Sequence, residues 1–250
     1  MKQSVTLTFG ERAENHAGMQ VLGTEVLDGF NLIDLKSIKN KFKNSGYSCK
    51  LINLNSFLDG IEAPHASVLI IRNALDAFGI DAKLLFEEQS DLKKDKKALM
   101  RGRVVNKIAR YNLCFGNEDQ KADYENGKGT IVAFKNVPLL EKLKNNLPLW
   151  FGEKANNLLC EGNYYYNTAK CGIGYHGDSE RKRVVALRLG ESNPLVYQWY
   201  YKSEKVGRKC ELKLYDGDMY VMSEKAVGTD WKRSSIYTLR HAAGCNKYTD

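Results

Sequence analysis

Alternating apolar and polar positions run through much of this chain and predict a protein rich in β-strands. Near the start, Val5, Leu7 and Phe9 alternate with polar residues, as in a strand with one buried face. Later in the chain, short segments of this kind recur with turns between them. These predicted strands are 163–167, 184–189, 195–201, 210–215, 218–222 and 236–242. Such a series is typical of a double-stranded β-helix, a jelly-roll-like barrel.

Helical periodicity is clearest outside that series. Within Asn31–Phe42 the apolar residues fall on one side of a helix, and 137–147 is also predicted as an amphipathic helix. Cys49–Leu54 is predicted as a strand, and Ser67–Gly79 as a strand or a buried helix. The polar, glycine-bearing segment Gly116–Gly129 is predicted as a long loop.

These elements together predict the fold class and the domains. We expect an α+β protein whose core is a double-stranded β-helix, jelly-roll or cupin-like, with an N-terminal α/β extension. The extension would comprise residues 1–105 and pack on the core, residues 106–250. A chain of 250 residues is long enough to bury a substantial core.

Composition narrows the class of protein. The chain is 43% hydrophobic and 27% charged, as is ordinary for a globular protein. No apolar run approaches the roughly 20 residues that span a bilayer, so we expect no membrane partner. The N-terminal segment has no apolar signal-peptide region. The six cysteines are scattered without a Cys-x-x-Cys pair, which favours reduced thiols in an intracellular protein, in the cytoplasm or nucleus.

The balance of charge favours an anionic partner. The formal net charge is +8 at pH 7, and phosphate neutralisation drives the affinity of basic proteins for nucleic acids. The densest basic segment is Asp91–Arg103. It either contacts phosphates beside an active site or forms an ordinary solvated helix or loop.

The tripeptide His176-Gly177-Asp178 carries the clearest candidate chemistry. On a strand, side chains two residues apart project from the same face, so His176 and Asp178 could reach one metal ion. His241 lies on another predicted strand. Two histidines and one carboxylate form the facial triad of non-haem Fe(II) oxygenases. The alternative is that His176 belongs to a surface loop and His241 only bonds the backbone.

The surrounding sequence resembles the AlkB family of oxidative demethylases. That family carries an Asn-x-Tyr strand, a turn and an Ile-Gly-x-His-x-Asp-x-Glu run, and residues 163–180 are similar to this pattern. Val184–Gly190 and Tyr215–Met222 resemble the strands that follow in the family. The resemblance covers roughly residues 158–245.

The resemblance implies an Fe(II)- and 2-oxoglutarate-dependent dioxygenase that hydroxylates a nucleic-acid base and so demethylates it. The base would lie in a single strand or would be flipped out of a duplex. The implied iron ligands are His176, Asp178 and His241. Asn163 and Tyr165 correspond to the Asn-x-Tyr that contacts 2-oxoglutarate, and Tyr166 is an alternative to Tyr165.

One arginine of the family pattern is missing from its usual place. In the family, an Arg-x-Asn-Leu-Thr-Phe-Arg strand follows the distal histidine, and its first arginine binds the distal carboxylate of 2-oxoglutarate. Nine residues follow His241 here, and none is an arginine. Ala109–Phe115 resembles that strand, so we expect it to be supplied from the N-terminal side, as in a circular permutation. Arg110 would then bind the carboxylate, with Arg240 and Lys247 as competitors.

A second departure concerns the distal histidine itself. The connection after Asp218 is longer than in the family, and one alignment puts Arg233 where this histidine belongs. Arginine keeps its proton and cannot ligate iron, so His241 is the better candidate.

Aromatic residues flank the predicted metal strands. We expect Tyr175, Tyr197 and Trp199 to bind the substrate, because aromatic rings inside the barrel could stack on a base. Packing in the core or at the rim is the commoner role of such residues.

Three other functions remain open from the sequence. The target could be the 5-methyl group of a pyrimidine in DNA, or a protein or small molecule hydroxylated on the same fold. A non-catalytic nucleic-acid-binding module is the alternative from another class.

Overall fold

Strands dominate the computed structural model, which describes residues 2–250 and contains sixteen β-strands and five α-helices there. Strands β1 to β16 are, in order, Ser4–Gly10, Arg12–Glu14, Val21–Gly23, Cys49–Asn53, Ser67–Ile71, Lys97–Met100, Arg103–Asn106, Tyr111–Gly116, Ile131–Ala133, Leu159–Tyr165, Gly172–His176, Val184–Gly190, Asn193–Tyr201, Glu204–Leu214, Met219–Met222 and Thr238–Gly244. Helices α1 to α5 are Leu32–Asn44, Ala82–Asp91, Pro138–Phe151, Glu224–Val227 and Asn246–Thr249. The predicted mixed α and β character is confirmed.

Most strands belong to two sheets. The larger has eight strands in the order β4-β5-β15-β12-β1-β10-β8-β9, and the smaller has four in the order β11-β16-β13-β14. From β10 to β16 the chain passes back and forth between these sheets. Strand β1 lies inside the larger sheet, antiparallel to β10 on one side and to β12 on the other.

The alternation of apolar and polar residues predicted for β1 places these residues on the two opposite faces of the larger sheet. Val5, Leu7 and Phe9 of β1 face α1, α2 and α3 and join an apolar cluster with residues of those helices. Part of the opposite face packs against the smaller sheet in a second apolar cluster, to which Val184 of β12 and Trp199 of β13 belong. The molecule therefore has three layers: helices, large sheet and small sheet.

Helix α1 forms where the periodicity predicts it. Asn31 accepts hydrogen bonds from the first-turn backbone, and the Asp34 side chain bonds back to the Asn31 backbone, which makes a capping box. Leu35, Ile38 and Phe42 form the buried stripe against the large sheet. The stripe at every third or fourth residue thus fixes which side of the helix is covered.

The boundary expected at residue 105 does not divide the structure. Strands β1, β4 and β5 precede that residue, yet they belong to the same eight-stranded sheet as β10, β12 and β15. Backbone hydrogen bonding across β1 joins the two halves of the sequence, so the N-terminal part completes the sheet rather than packing on it. Within residues 2–250, no helix combines the length and apolar character needed to cross a membrane.

Candidate metal centre

Two neighbouring strands of the small sheet bring two histidines and an aspartate together. His176 ends β11 and pairs in register with His241 of β16, and Asp178 follows two residues later. Oδ1 of Asp178 lies 3.5 Å from Nε2 of His176 and 3.5 Å from Nε2 of His241. The ligand atoms of all three residues lie within 4.8 Å of one another. This group could hold a metal ion, as predicted.

The imidazole of His176 is oriented for such a role. Its Nδ1 lies 2.8 Å from the carbonyl oxygen of Gly174, which assigns the proton to Nδ1 and leaves the Nε2 lone pair free. Burial, followed by the nearby His241, lowers the pKa of His176 to about 3, although 25% of the side chain is exposed. The exposed part lines a cavity. A neutral imidazole at physiological pH is the form that binds metals.

A buried arginine supports the aspartate. Arg181 is 3% exposed, and its Nε lies 3.5 Å from Oδ2 of Asp178. It also forms ion pairs with Glu161 and Glu180. Burial opposes ionisation of Asp178, but Arg181 and the two imidazoles outweigh it and hold the pKa of this carboxyl below its ordinary value. Asp178 is therefore ionised, as a carboxylate ligand must be.

The triad faces a cavity of about 540 Å³. The large sheet forms its floor, the β2–β3 hairpin lies on one side, and the segment around Trp231 lies on another. Polar residues dominate the floor, where Thr6, Asn163 and Arg188 come from three adjacent strands. Thr6 pairs in register with Asn163 on one side and with Arg188 on the other, so the three side chains form one row on the cavity face.

Arg188 is the most unusual member of this row. Its side chain is fully buried, and its Nη1 donates to Oγ of Ser4 at 3.2 Å. Its Nε and Nη2, like the neighbouring Oγ1 of Thr6, are buried and have no hydrogen-bond partner within residues 2–250. A buried guanidinium with unpaired nitrogens is costly unless an anion completes its hydrogen bonds. The row is therefore suited to bind a carboxylate.

The residues expected to contact 2-oxoglutarate occupy different places. Asn163 and Tyr165 line the cavity with the triad. Tyr166, the alternative, lies outside the lining and donates from its hydroxyl to the carbonyl oxygen of Ile108 at 2.6 Å. Tyr165 is the last residue of β10, whereas Tyr166 lies in the bend that follows it, where the chain leaves the sheet.

The arginines proposed from the sequence as carboxylate ligands are placed less favourably than Arg188. Arg110 lines the cavity, but its Nε donates to Oδ1 of Asn163 at 2.5 Å. Arg110 directly precedes β8. In the large sheet, β8 and β1 lie on opposite sides of β10, so β8 is not the strand between β10 and β12. Arg240 points away from the cavity and lies over the ring of Tyr200, 4.0 Å from its centroid.

The remaining candidates also lie outside the cavity lining. Tyr197 and Trp199 are buried in the apolar cluster between the sheets, and Nε1 of Trp199 donates to the carbonyl oxygen of Leu54 at 2.9 Å. The hydroxyl of Tyr175 donates to the backbone of Thr249 at 2.8 Å. The geometry does not support substrate contacts by these three aromatic residues. Two further side chains, those of Arg233 and Lys247, are exposed.

Sequence reasoning missed Arg188, Arg181 and Trp231. Arg188 had a signal, because it is the only charged residue in the apolar segment Val184–Gly190, and charged residues are seldom buried without a partner. Trp231 lines the cavity and donates from Nε1 to Oγ of Ser179 at 2.9 Å. Its surroundings in the sequence are polar and gave no periodic pattern.

Comparison with known proteins gives a relative that matches almost the whole of this chain, but it does not give an activity. No protein-family model matches the chain. The chain is similar to an uncharacterized protein of Acanthamoeba polyphaga mimivirus, with 47% identity over 251 residues, covering 99% of this chain and 98% of that protein. At this identity and coverage, the chain belongs to the same family as that mimivirus protein.

Proposed function

We propose that the protein is an Fe(II)- and 2-oxoglutarate-dependent dioxygenase that hydroxylates a base of a nucleic acid. The observation that carries this proposal is the joint occurrence, in one cavity, of the His176–Asp178–His241 group and the unpaired nitrogens of Arg188. The first has the donor set of non-haem Fe(II) sites. The second has the charge and hydrogen-bond donors that a carboxylate requires.

The strand order supports the same proposal. We infer that the two sheets are the walls of a double-stranded β-helix, with β1 in the position that the family fills with the strand after its distal histidine. Leu7-Thr8-Phe9 of β1 repeats the Leu-Thr-Phe of that family strand. In this alignment Ser4 replaces the carboxylate-binding arginine, and Ser4 is the residue that accepts a hydrogen bond from Arg188. The guanidinium would thus reach the same place from the neighbouring strand.

Each group of the cavity would have a separate role in the reaction. His176, Asp178 and His241 would hold Fe(II), and Arg188 would hold the distal carboxylate of 2-oxoglutarate, next to Asn163 and Tyr165. Arg181 would keep Asp178 ionised, and the buried floor would exclude water. Bound iron supplies oxidation of a substrate C–H bond, with oxygen and 2-oxoglutarate as co-substrates.

The choice of a nucleic acid depends on charge and on the AlkB resemblance. The net charge of +8 favours an anionic substrate, and Trp231 offers an aromatic ring at the cavity. A base would have to enter this cavity from a single strand or after flipping out of a duplex.

Succinate formation tests the proposal without knowledge of the substrate. The protein is loaded with Fe(II) under anaerobic conditions, mixed with 2-oxoglutarate and exposed to oxygen. We expect uncoupled succinate from the wild type and none from the His176→Ala variant. The matched control is His65→Ala, because His65 lies outside the cavity and contacts Oγ of Ser67 instead.

Three outcomes are informative. Loss of succinate and of bound iron in His176→Ala alone supports the proposal. A wild-type protein that binds both iron and 2-oxoglutarate but forms no succinate requires its substrate for turnover, and oligonucleotides are then added. A wild-type protein that binds neither would overturn the proposal.

A further inference from the structure

A second cavity, of about 610 Å³, lies beside the metal cavity where β10 ends. We name it the lysine–tyrosine cavity, after the residues that matter most to its chemistry. These are Lys93, Lys94, Lys96, Lys97, Tyr111 and Tyr166.

The charge of this cavity is strongly one-sided. Its lining contains four lysines and no aspartate or glutamate. Within residues 2–250, none of the four lysines forms an ion pair with a carboxylate. Asp91 near Lys94, and Asp95, which accepts a hydrogen bond from the Tyr124 hydroxyl, offset part of this charge, but the lining keeps an excess of positive charge. A concave surface with an excess of charge of one sign focuses its field on a ligand of the opposite sign. The lysines therefore favour an anion with several charges.

Aromatic rings accompany the lysines. Tyr111 and Tyr166 are stacked, with ring centroids 4.5 Å apart and an interplanar angle of 20°. The ammonium group of Lys96 lies 5.1 Å from the ring centroid of Tyr111. Basic grooves with aromatic side chains are how proteins bind single-stranded nucleic acids, because unpaired bases stack on the rings while lysines contact the phosphates. A duplex hides the faces of its bases, so it fits this lining less well.

The two cavities are separated by very little of the protein. Tyr165 lines both of them. Ser4 lines the lysine–tyrosine cavity, and its hydroxyl accepts the hydrogen bond from Arg188 of the metal cavity. A nucleic-acid strand bound in one cavity therefore lies next to the other cavity.

We propose that the lysine–tyrosine cavity binds the phosphates of a single-stranded nucleic acid adjacent to the nucleotide that enters the metal cavity. The identity of that entering nucleotide as the substrate rests on the proposed function. Binding of the strand itself requires neither iron nor 2-oxoglutarate, so it is tested separately.

The test compares two pairs of lysines. The test variant is Lys96→Ala/Lys97→Ala, in the cavity. The control is Lys36→Ala/Lys43→Ala on α1, which changes the net charge equally and also replaces exposed lysines outside the cavity. Fluorescence anisotropy measures binding of a labelled single-stranded DNA of mixed sequence, without metal, at several salt concentrations.

Each phosphate contact contributes about 0.7 to the slope of log affinity against log salt for a single strand. We therefore expect the Lys96→Ala/Lys97→Ala variant to lose about 1.4 from this slope, which corresponds to about 25-fold weaker binding at 0.1 M than the wild type if the two affinities converge at 1 M salt. The control should bind as the wild type does. Equal losses in both variants, or no loss in the cavity variant, would overturn the proposal.

Two further measurements separate the possible failures. If a duplex of the same sequence binds as tightly and with the same dependence on Lys96 and Lys97, the assignment to single strands is wrong. Uncoupled succinate formation by the wild type without DNA reports on the oxygenase separately from strand binding. Succinate without lysine-dependent binding rejects the nucleic-acid cavity and retains the oxygenase, whereas lysine-dependent binding without iron binding does the reverse.

Discussion

The two faces of the large sheet differ in kind although they are made by the same strands. On β12, Leu187 faces the helices in the largest apolar cluster, whereas the adjacent Arg188 faces the cavity; both are 0% exposed. On β1, Leu7 and Phe9 face the helices, and Thr6 faces the cavity. Burial alone therefore does not distinguish the two faces, but the hydrogen bonds left unmade on the cavity face do.

This difference separates residues whose burial stabilises the fold from residues whose burial costs free energy of desolvation. The helix-facing side chains gain free energy by removing apolar area from water. The guanidinium of Arg188 is desolvated, and two of its nitrogens have no partner within the described chain, residues 2–250. The rule that buried polar groups have hydrogen-bond partners is broken mainly at functional sites. The contrast can be tested by changing one face at a time.

The largest effect on co-substrate binding is expected from Arg188→Met. Under the proposed function, this change removes the partner of a buried carboxylate and weakens 2-oxoglutarate binding by about 3 kcal/mol, or about 150-fold. The free energy of unfolding should not fall, because an unpaired buried charge is replaced by an apolar side chain of similar length. Calorimetric titration of 2-oxoglutarate into the Mn(II)-loaded protein, together with urea denaturation, measures both quantities. Unchanged affinity would show that Arg188 does not hold the co-substrate.

The neighbouring residue should behave in the opposite way. Leu187→Ala removes a fully buried side chain from the helix-facing cluster and should lower the free energy of unfolding by about 3 kcal/mol. The affinity for 2-oxoglutarate at a temperature where the variant is folded should stay as in the wild type. The same two measurements apply. A large loss of affinity in this variant would mean that the two faces are not independent.

The smallest effect concerns the pH dependence of stability at the cavity wall. Burial raises the pKa of Glu14 from 4.5 to about 7, although its Oε1 accepts a hydrogen bond from the backbone of Gly18. The folded state therefore keeps a proton that the unfolded state has lost, and stability falls as pH rises from 4.5 to 7. Because Glu14 is only half-buried, solvent screening reduces this contribution to about 1 kcal/mol.

Glu14→Gln removes this contribution while keeping an oxygen that can accept from Gly18. Urea denaturation at pH 5 and pH 7.5 should show a loss of stability that is smaller in the variant than in the wild type by about that amount. Equal losses in the two proteins would assign the pH dependence to other groups.

Several elements were predictable because their signals are local. The alternation of Val5, Leu7 and Phe9 predicts β1 and its buried face, and the stripe in Asn31–Phe42 predicts α1. The spacing of His176 and Asp178 correctly predicts two neighbouring candidate ligands, although Asp178 lies two residues past the end of β11 and not on the strand as expected. The aromatic run near Trp199 was ambiguous, because a ring packed in a core and a ring facing a ligand have the same pattern along a strand.

Patterns along the chain predicted several of the strands, the apolar face of β1, and three residues that could share a metal ion, but they did not predict β2, β3, β6 or β7. The pairing of distant strands in the folded chain places β1 between β10 and β12, and it leaves Arg188 with buried nitrogens that have no hydrogen-bond partner in residues 2–250. The physical reason is the separation along the chain of the residues that interact. Periodicity is set by neighbours along the chain, whereas the partner of Arg188 is Ser4, 184 residues away, and that contact exists only once the strands have paired.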